Sequence, residues 1–258
     1  MELIKSAAKR TKLSELAHVG LNIMYAGLLL VLVVGFEGQP YLAYLIVILS
    51  KWRVFAVRPR FWLANIQTNL LDTLMGLSVV TLLWQNTGSF GLQLMLAVLF
   101  GAWLVILKPQ SKRFWVVIQA GVVQFMALTA LFYVAYALHV SVVVILGWLI
   151  GYVVARHIIN VFGDELEDVV ISVAWGLVIA ELSWLTYYWT IAYTPLKIPQ
   201  VSIVATLLGY MALVVYNYLY HNDDNKKIQR DLMLPIAFSV IGIALIVIFF
   251  NGFDPTSL

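Results

Sequence analysis

The sequence predicts an all-α protein: a polytopic integral membrane helical bundle of about nine transmembrane helices, N-terminus in and C-terminus out. Three observations predict it. Hydrophobic residues make up 62% of the chain and charged residues 11%, with a mean hydropathy of +0.93, whereas soluble domains carry about 25% charged residues. Apolar runs recur at lengths near the roughly 20 residues that cross a hydrocarbon core of about 30 Å. The basic residues fall on one side when those runs are threaded alternately. No polar block is long enough to fold separately, so the chain divides into a basic cytoplasmic or interfacial segment, 1–17, and a single transmembrane helical domain, 18–258.

The elements follow in order. In 1–17, Leu3, Ile4, Leu13 and Leu16 can face lipid while Lys5, Lys9, Arg10 and Lys12 face head groups, giving a short interfacial helix. The apolar run behind it is too long for a signal peptide and reads as a retained first crossing, 19–36. Glu37-Gly38-Gln39-Pro40 ends it. The run 41–50 is short for a crossing, but it reaches about residue 57 if Lys51 and Arg53 snorkel. After the connector Arg58-Pro59-Arg60 come a third helix, 61–84, and a fourth, 90–107, closed by Lys108-Pro109. The stretch 114–161 is too long for one crossing and splits at Leu138-His139-Val140-Ser141. Asp164, Glu165, Glu167 and Asp168 then open the seventh crossing, 169–193, where carboxylates suit the positive end of the helix dipole. Thr194-Pro195 and Pro199 close it. An eighth helix spans 201–220. The last spans 232–250, with Pro235 in its first turn, where a missing N–H is harmless. With the N-terminus inside, every lysine and arginine except Lys197 lies in a cytoplasmic segment.

Two acids stand where lipid disfavours them. Glu181 lies near the centre of the seventh crossing, and a charge there costs a few kcal/mol. Trp184 and Tyr188, at i+3 and i+7, share its face and can donate to it. Trp189 and Tyr193 lie where an interfacial aromatic belt should. On the third helix Asn65, Asn69 and Asp72 form one stripe at i, i+4 and i+7. Asp72 lies about 15 Å from Trp62, again near the midplane. With no lysine or arginine at that depth, the two acids must be neutral, share a proton or bind a cation. Asp72, Glu181, Asn65, Asn69, Trp184 and Tyr188 are therefore the expected ligand or proton site. The structural alternative is that each acid is protonated and glues helices together. Gln93, Gln119, Gln124 and Asn22 are expected to be such glue.

Asp164 and Asp168, spaced D-x-x-x-D, are the candidate metal ligands, since oxygen-rich clusters suit Mg²⁺. His157, His221, Asp223 and Asp224 belong to the same side. The nine-helix count, the Asn/Asp stripe and the D-x-x-x-D after the sixth helix resemble, in outline, the intramembrane aromatic prenyltransferases. Three departures keep the chain out of that family: Asp72 is too deep, its stripe has no second aspartate, and the stripe sits on the third helix instead of the second.

Other chemistry is excluded. There is no cysteine, hence no disulfide or thiolate. The basic residues are spread over short loops and give no nucleic-acid footprint. No phosphate-binding glycine loop, H-E-x-x-H or G-x-S-x-G occurs, and no lysine lies in the final helix to carry a retinal Schiff base. The reading expected from sequence is a transporter or binding protein in the cytoplasmic membrane of a prokaryote. Its partners are membrane lipids and a proton, cation or small solute, and it has no cofactor. The alternatives are a Mg²⁺-dependent transferase working at the cytoplasmic face and a non-catalytic membrane scaffold.

Overall fold

A computed structural model describes residues 2–36, 39–56, 58–162, 167–188, 198–221 and 228–249. Among these residues the chain is all-helical, with nine α-helices and no strands. They are α1 (Glu2–Gly35), α2 (Tyr41–Leu49), α3 (Trp62–Gln85), α4 (Phe90–Ala102), α5 (Arg113–Val134), α6 (Val140–Phe162), α7 (Glu167–Tyr188), α8 (Gln200–His221) and α9 (Ile228–Phe249). Six of them are long and apolar enough to cross a membrane: α1, α3, α5, α6, α7 and α4 with its continuation to Leu107. The chain is thus an integral membrane protein built of helices, as expected where every backbone N–H and C=O must be satisfied inside its own segment.

Three boundaries differ from expectation. α1 runs unbroken from Glu2, so the basic segment and the first crossing are one helix. α2 does not reach residue 57. It stops at Leu49, and a tighter 3₁₀ segment follows at Trp52–Ala56. Pro235 lies two turns inside α9 and not in its first turn. Residues 189–197, which include the expected belt residues Trp189 and Tyr193, lie outside the described residues.

The chain forms two compact units, Met1–Gln119 and Ala120–Leu258. In the first, α2 packs on α3. Leu29 and Val33 of α1, Val47 of α2 and Val79, Val80 and Leu83 of α3 are fully buried. Gly76 permits the approach, because a Cβ there would stand 2.8 Å from Val47 Cγ1. Tyr44 and Thr81 join the same two helices through their hydroxyls, 2.8 Å apart. α3 turns into α4 within four residues. Asn86 Nδ2 donates to Leu82 O (2.7 Å) and the buried Gln93 donates to Leu83 O (2.9 Å), so two carbonyls left open by the helix end are satisfied.

In the second unit α6 and α7 pack closely along their length. A Cβ on Gly151 would stand 2.8 Å from Ile179 Cγ1 and 3.0 Å from Gly176 Cα, and one on Gly147 would collide with Ser183 Oγ. One on Gly176 would stand 2.9 Å from Trp148 O. Gly147-Trp148-Leu149-Ile150-Gly151 is the small-xxx-small pattern that lets membrane helices approach backbone to backbone. That pattern is legible in the sequence as a signal for a close helix pair.

Candidate functional site: a carboxylate held by two lysines

Asp72 is not isolated from basic groups. Lys51 Nζ lies 3.0 Å and Lys108 Nζ 2.6 Å from its Oδ2. The expectation that no lysine reaches its depth is therefore corrected, and the reason is local. Lys51 follows directly on the end of α2, where Ser50 N–H closes on Ile46 O and Ser50 Oγ on Val47 O. The break stops the ammonium from running on to the interface and places it against α3. Lys108 ends the other helix of the α3–α4 hairpin, and its four-carbon stem carries the ammonium back along the crossing. Counted from the shared turn, Asp72 lies 13 residues down α3, about 20 Å, and Lys108 lies 18 residues along α4, about 27 Å. Asp72 thus lies near the middle of α3, 10 residues from Trp62 and 13 from Gln85, and it is the reach of the lysine stems that brings the ammonium groups to it. All three side chains are partly withdrawn from solvent: Asp72 is 18% exposed, Lys51 20% and Lys108 37%. Tyr25 of α1 lies beside Ser50, within reach of the Asp72 charge.

The Lys108 end of α4 is itself irregular. Over Trp103–Leu107 the helix widens into a π-turn, and Lys108 N–H donates to Trp103 O (2.9 Å). In that register Leu104 O would accept from residue 109, but Pro109 has no N–H. Asn22 Nδ2 of α1 stands in for it, 3.5 Å away. Gln119 Nε2 donates to both Leu107 O, the last carbonyl of the turn, and Gln110 O beyond it. Asn22, Gln93 and Gln119 are the helix glue expected of them, and Gln124 is too. Its Nε2 donates to Ala205 O (2.7 Å) and its Oε1 accepts from Trp175 Nε1 (3.2 Å), joining α5, α7 and α8 in the second unit.

Asn69, on the same stripe, bonds to its own helix, with the Asn65 backbone as its partner. Asn69 Nδ2 donates to Asn65 O (2.9 Å), and Asn69 O accepts from Thr73 Oγ1 (2.9 Å). Glu181 falls in the second unit, on an exposed face of α7. Trp184 (53% exposed) and Tyr188 (61%) share that face and meet each other edge to face, with centroids 5.6 Å apart. Among the described residues no group of three or more His, Cys, Asp or Glu is placed to hold a metal ion. Asp164 lies outside the described residues, and Asp168 is described only as a position in the first turn of α7.

Fold and site together define a class: a helical integral membrane protein with a charge centre within its crossings. No protein-family model matches the chain, and no curated protein or solved structure is significantly similar to it.

Proposed function

We propose that this chain is a solute-binding or transport protein of the cytoplasmic membrane, with its working site at Asp72, Lys51 and Lys108. One observation carries the reading: two interruptions of helix regularity, the break after α2 and the π-turn ending α4, both deliver a lysine to one carboxylate oxygen. A purely structural ion pair needs neither. Discontinuous helices mark the binding sites of many transporters, and π-turns concentrate at functional sites. The lysines also argue against a cation on Asp72, since the carboxylate already has more positive charge than it can neutralise. The proposed threading has about nine crossings, N-in and C-out, with the Lys51 and Lys108 end in the cytoplasm; the clustering of Arg58, Arg60, Lys112 and Arg113 at that end supports it. Glu181, on an exposed face of α7 with Trp184 and Tyr188, is proposed as a separate polar group of the transport path, because intramembrane acids mark such paths.

The test is reconstitution in liposomes loaded with a pH-sensitive dye, comparing the wild type with Asp72→Asn and Glu181→Gln. Solute-driven flux is expected to fall by an order of magnitude or more in Asp72→Asn. Equal flux in all three proteins would remove the proposal.

A further inference from the structure

We infer that Lys51 and Lys108 form a binding site for a phosphate group. The argument begins with charge. Two ammonium groups share Oδ2 of one carboxylate, which leaves one positive charge in excess at a partly buried position. Asp72 is the only acid between Glu37 and Asp164, so no neighbour in that stretch balances it. The two distances to Oδ2 hold the nitrogens within about 6 Å of each other, where like charges repel and an anion beside both relieves the repulsion. Each ammonium has three N–H donors and uses one on Oδ2, leaving donors for further oxygens. Trp103, in the π-turn that precedes Lys108, carries an indole N–H that is buried with no partner among the described residues.

The surroundings select the class of anion. Lysine binds phosphate as a point charge, without the planar fork that a carboxylate matches. The same end of the unit exposes Arg58, Arg60 and Arg113. Exposed aromatics adjoin the basic residues in the chain: Trp52 (64%), Phe61 (47%), with the Arg60 guanidinium 4.6 Å from its ring centroid, and Phe114 (68%). Basic groups interleaved with aromatics suit the level of lipid head groups. The phosphate is therefore that of an anionic lipid or of a soluble phosphate compound drawn to the same face.

The experiment uses the full chain in nanodiscs and reads the unfolding midpoint, which rises when a ligand binds the folded state. One arm titrates inorganic phosphate into discs of phosphatidylcholine alone. The other replaces part of the phosphatidylcholine with phosphatidylglycerol. A rise in the first arm identifies a soluble phosphate ligand, and a rise in the second alone identifies a lipid head group. Lys108→Gln, which keeps the Lys51–Asp72 pair and so the fold, is expected to weaken the effect about ten-fold. Lys112→Gln is expected to leave it unchanged, and Asp72→Asn, which raises the excess charge, to strengthen it. If Asp72→Asn fails to fold, Lys108→Gln decides. No rise in either arm, or equal responses from Lys108→Gln and Lys112→Gln, would overturn the inference. It rests on reading the Asp72 centre as a binding site. Flux that depends on Asp72 in a protein indifferent to phosphate would keep the proposed function and remove only this ligand.

Discussion

Lys108 Nζ stands 2.6 Å from Asp72 Oδ2, although the two residues lie on different helices and their backbones reach different depths. The long lysine stem closes the gap, and Lys51 completes the centre from the other side at 3.0 Å. Charge of this kind inside a membrane protein is maintained by mutual compensation, so its members are unequal: Asp72 serves two partners and each lysine serves one.

That inequality gives the first prediction. Asp72→Ala leaves two ammonium groups facing each other and is expected to cost about 2–4 kcal/mol, less than a fully buried pair because Lys108 is partly solvated. Lys108→Met leaves a balanced Lys51–Asp72 pair and is expected to cost under about 1 kcal/mol. Thermal unfolding in one detergent compares them, and equal costs would contradict the shared-carboxylate picture.

The π-turn gives the second. Asn22 is needed because Pro109 has no N–H to give to Leu104 O. Asn22→Ala is expected to cost at most about 1 kcal/mol, given the long contact. In a Pro109→Ala background, where a backbone N–H is restored, its cost should shrink towards zero. A double-mutant cycle measures the coupling, and strict additivity would show that the two residues act independently.

Much of this architecture was legible in advance. The apolar runs announce their helices because lipid enforces length, and the split at Leu138–Ser141 follows from arithmetic on span length. The place of Asp72 near the middle of its helix follows from the same run lengths. Its lysines were missed because they sit at the ends of apolar runs, where basic residues usually reach outward. Nothing around Ser50-Lys51 resembles a Pro or Gly breaker, so the stop in α2 depends on tertiary contacts, with Lys51 satisfied by Asp72 of another helix. For Glu181 the sequence located the residue on its helix, but which way it faces depends on how α6 and α7 share their small residues.

Those small residues carry the third prediction. Gly176→Ala pushes a methyl against the Trp148 carbonyl, which cannot rotate away, and Gly151→Leu overfills the contact with Ile179. Each is expected to cost about 1–3 kcal/mol. Gly20→Ala and Gly27→Ala, where a Cβ meets nothing within 4 Å, are expected to be neutral or stabilising by up to about 1 kcal/mol. Unfolding midpoints of the four variants check this, and similar losses in all four would contradict the role of close approach at Gly151 and Gly176.

The central claim is that Asp72, Lys51 and Lys108 exist to bind something and not merely to hold α2, α3 and α4 together. The most direct measurement replaces all three at once with apolar residues of similar size, Asp72→Leu, Lys51→Met and Lys108→Met, and records unfolding midpoint and liposome flux on the same preparation. Replacing a whole ion cluster by well-packed apolar groups is often neutral or stabilising, so the account predicts an unchanged or higher midpoint with flux lost. A triple variant that transports like the wild type, or whose midpoint collapses, would contradict it.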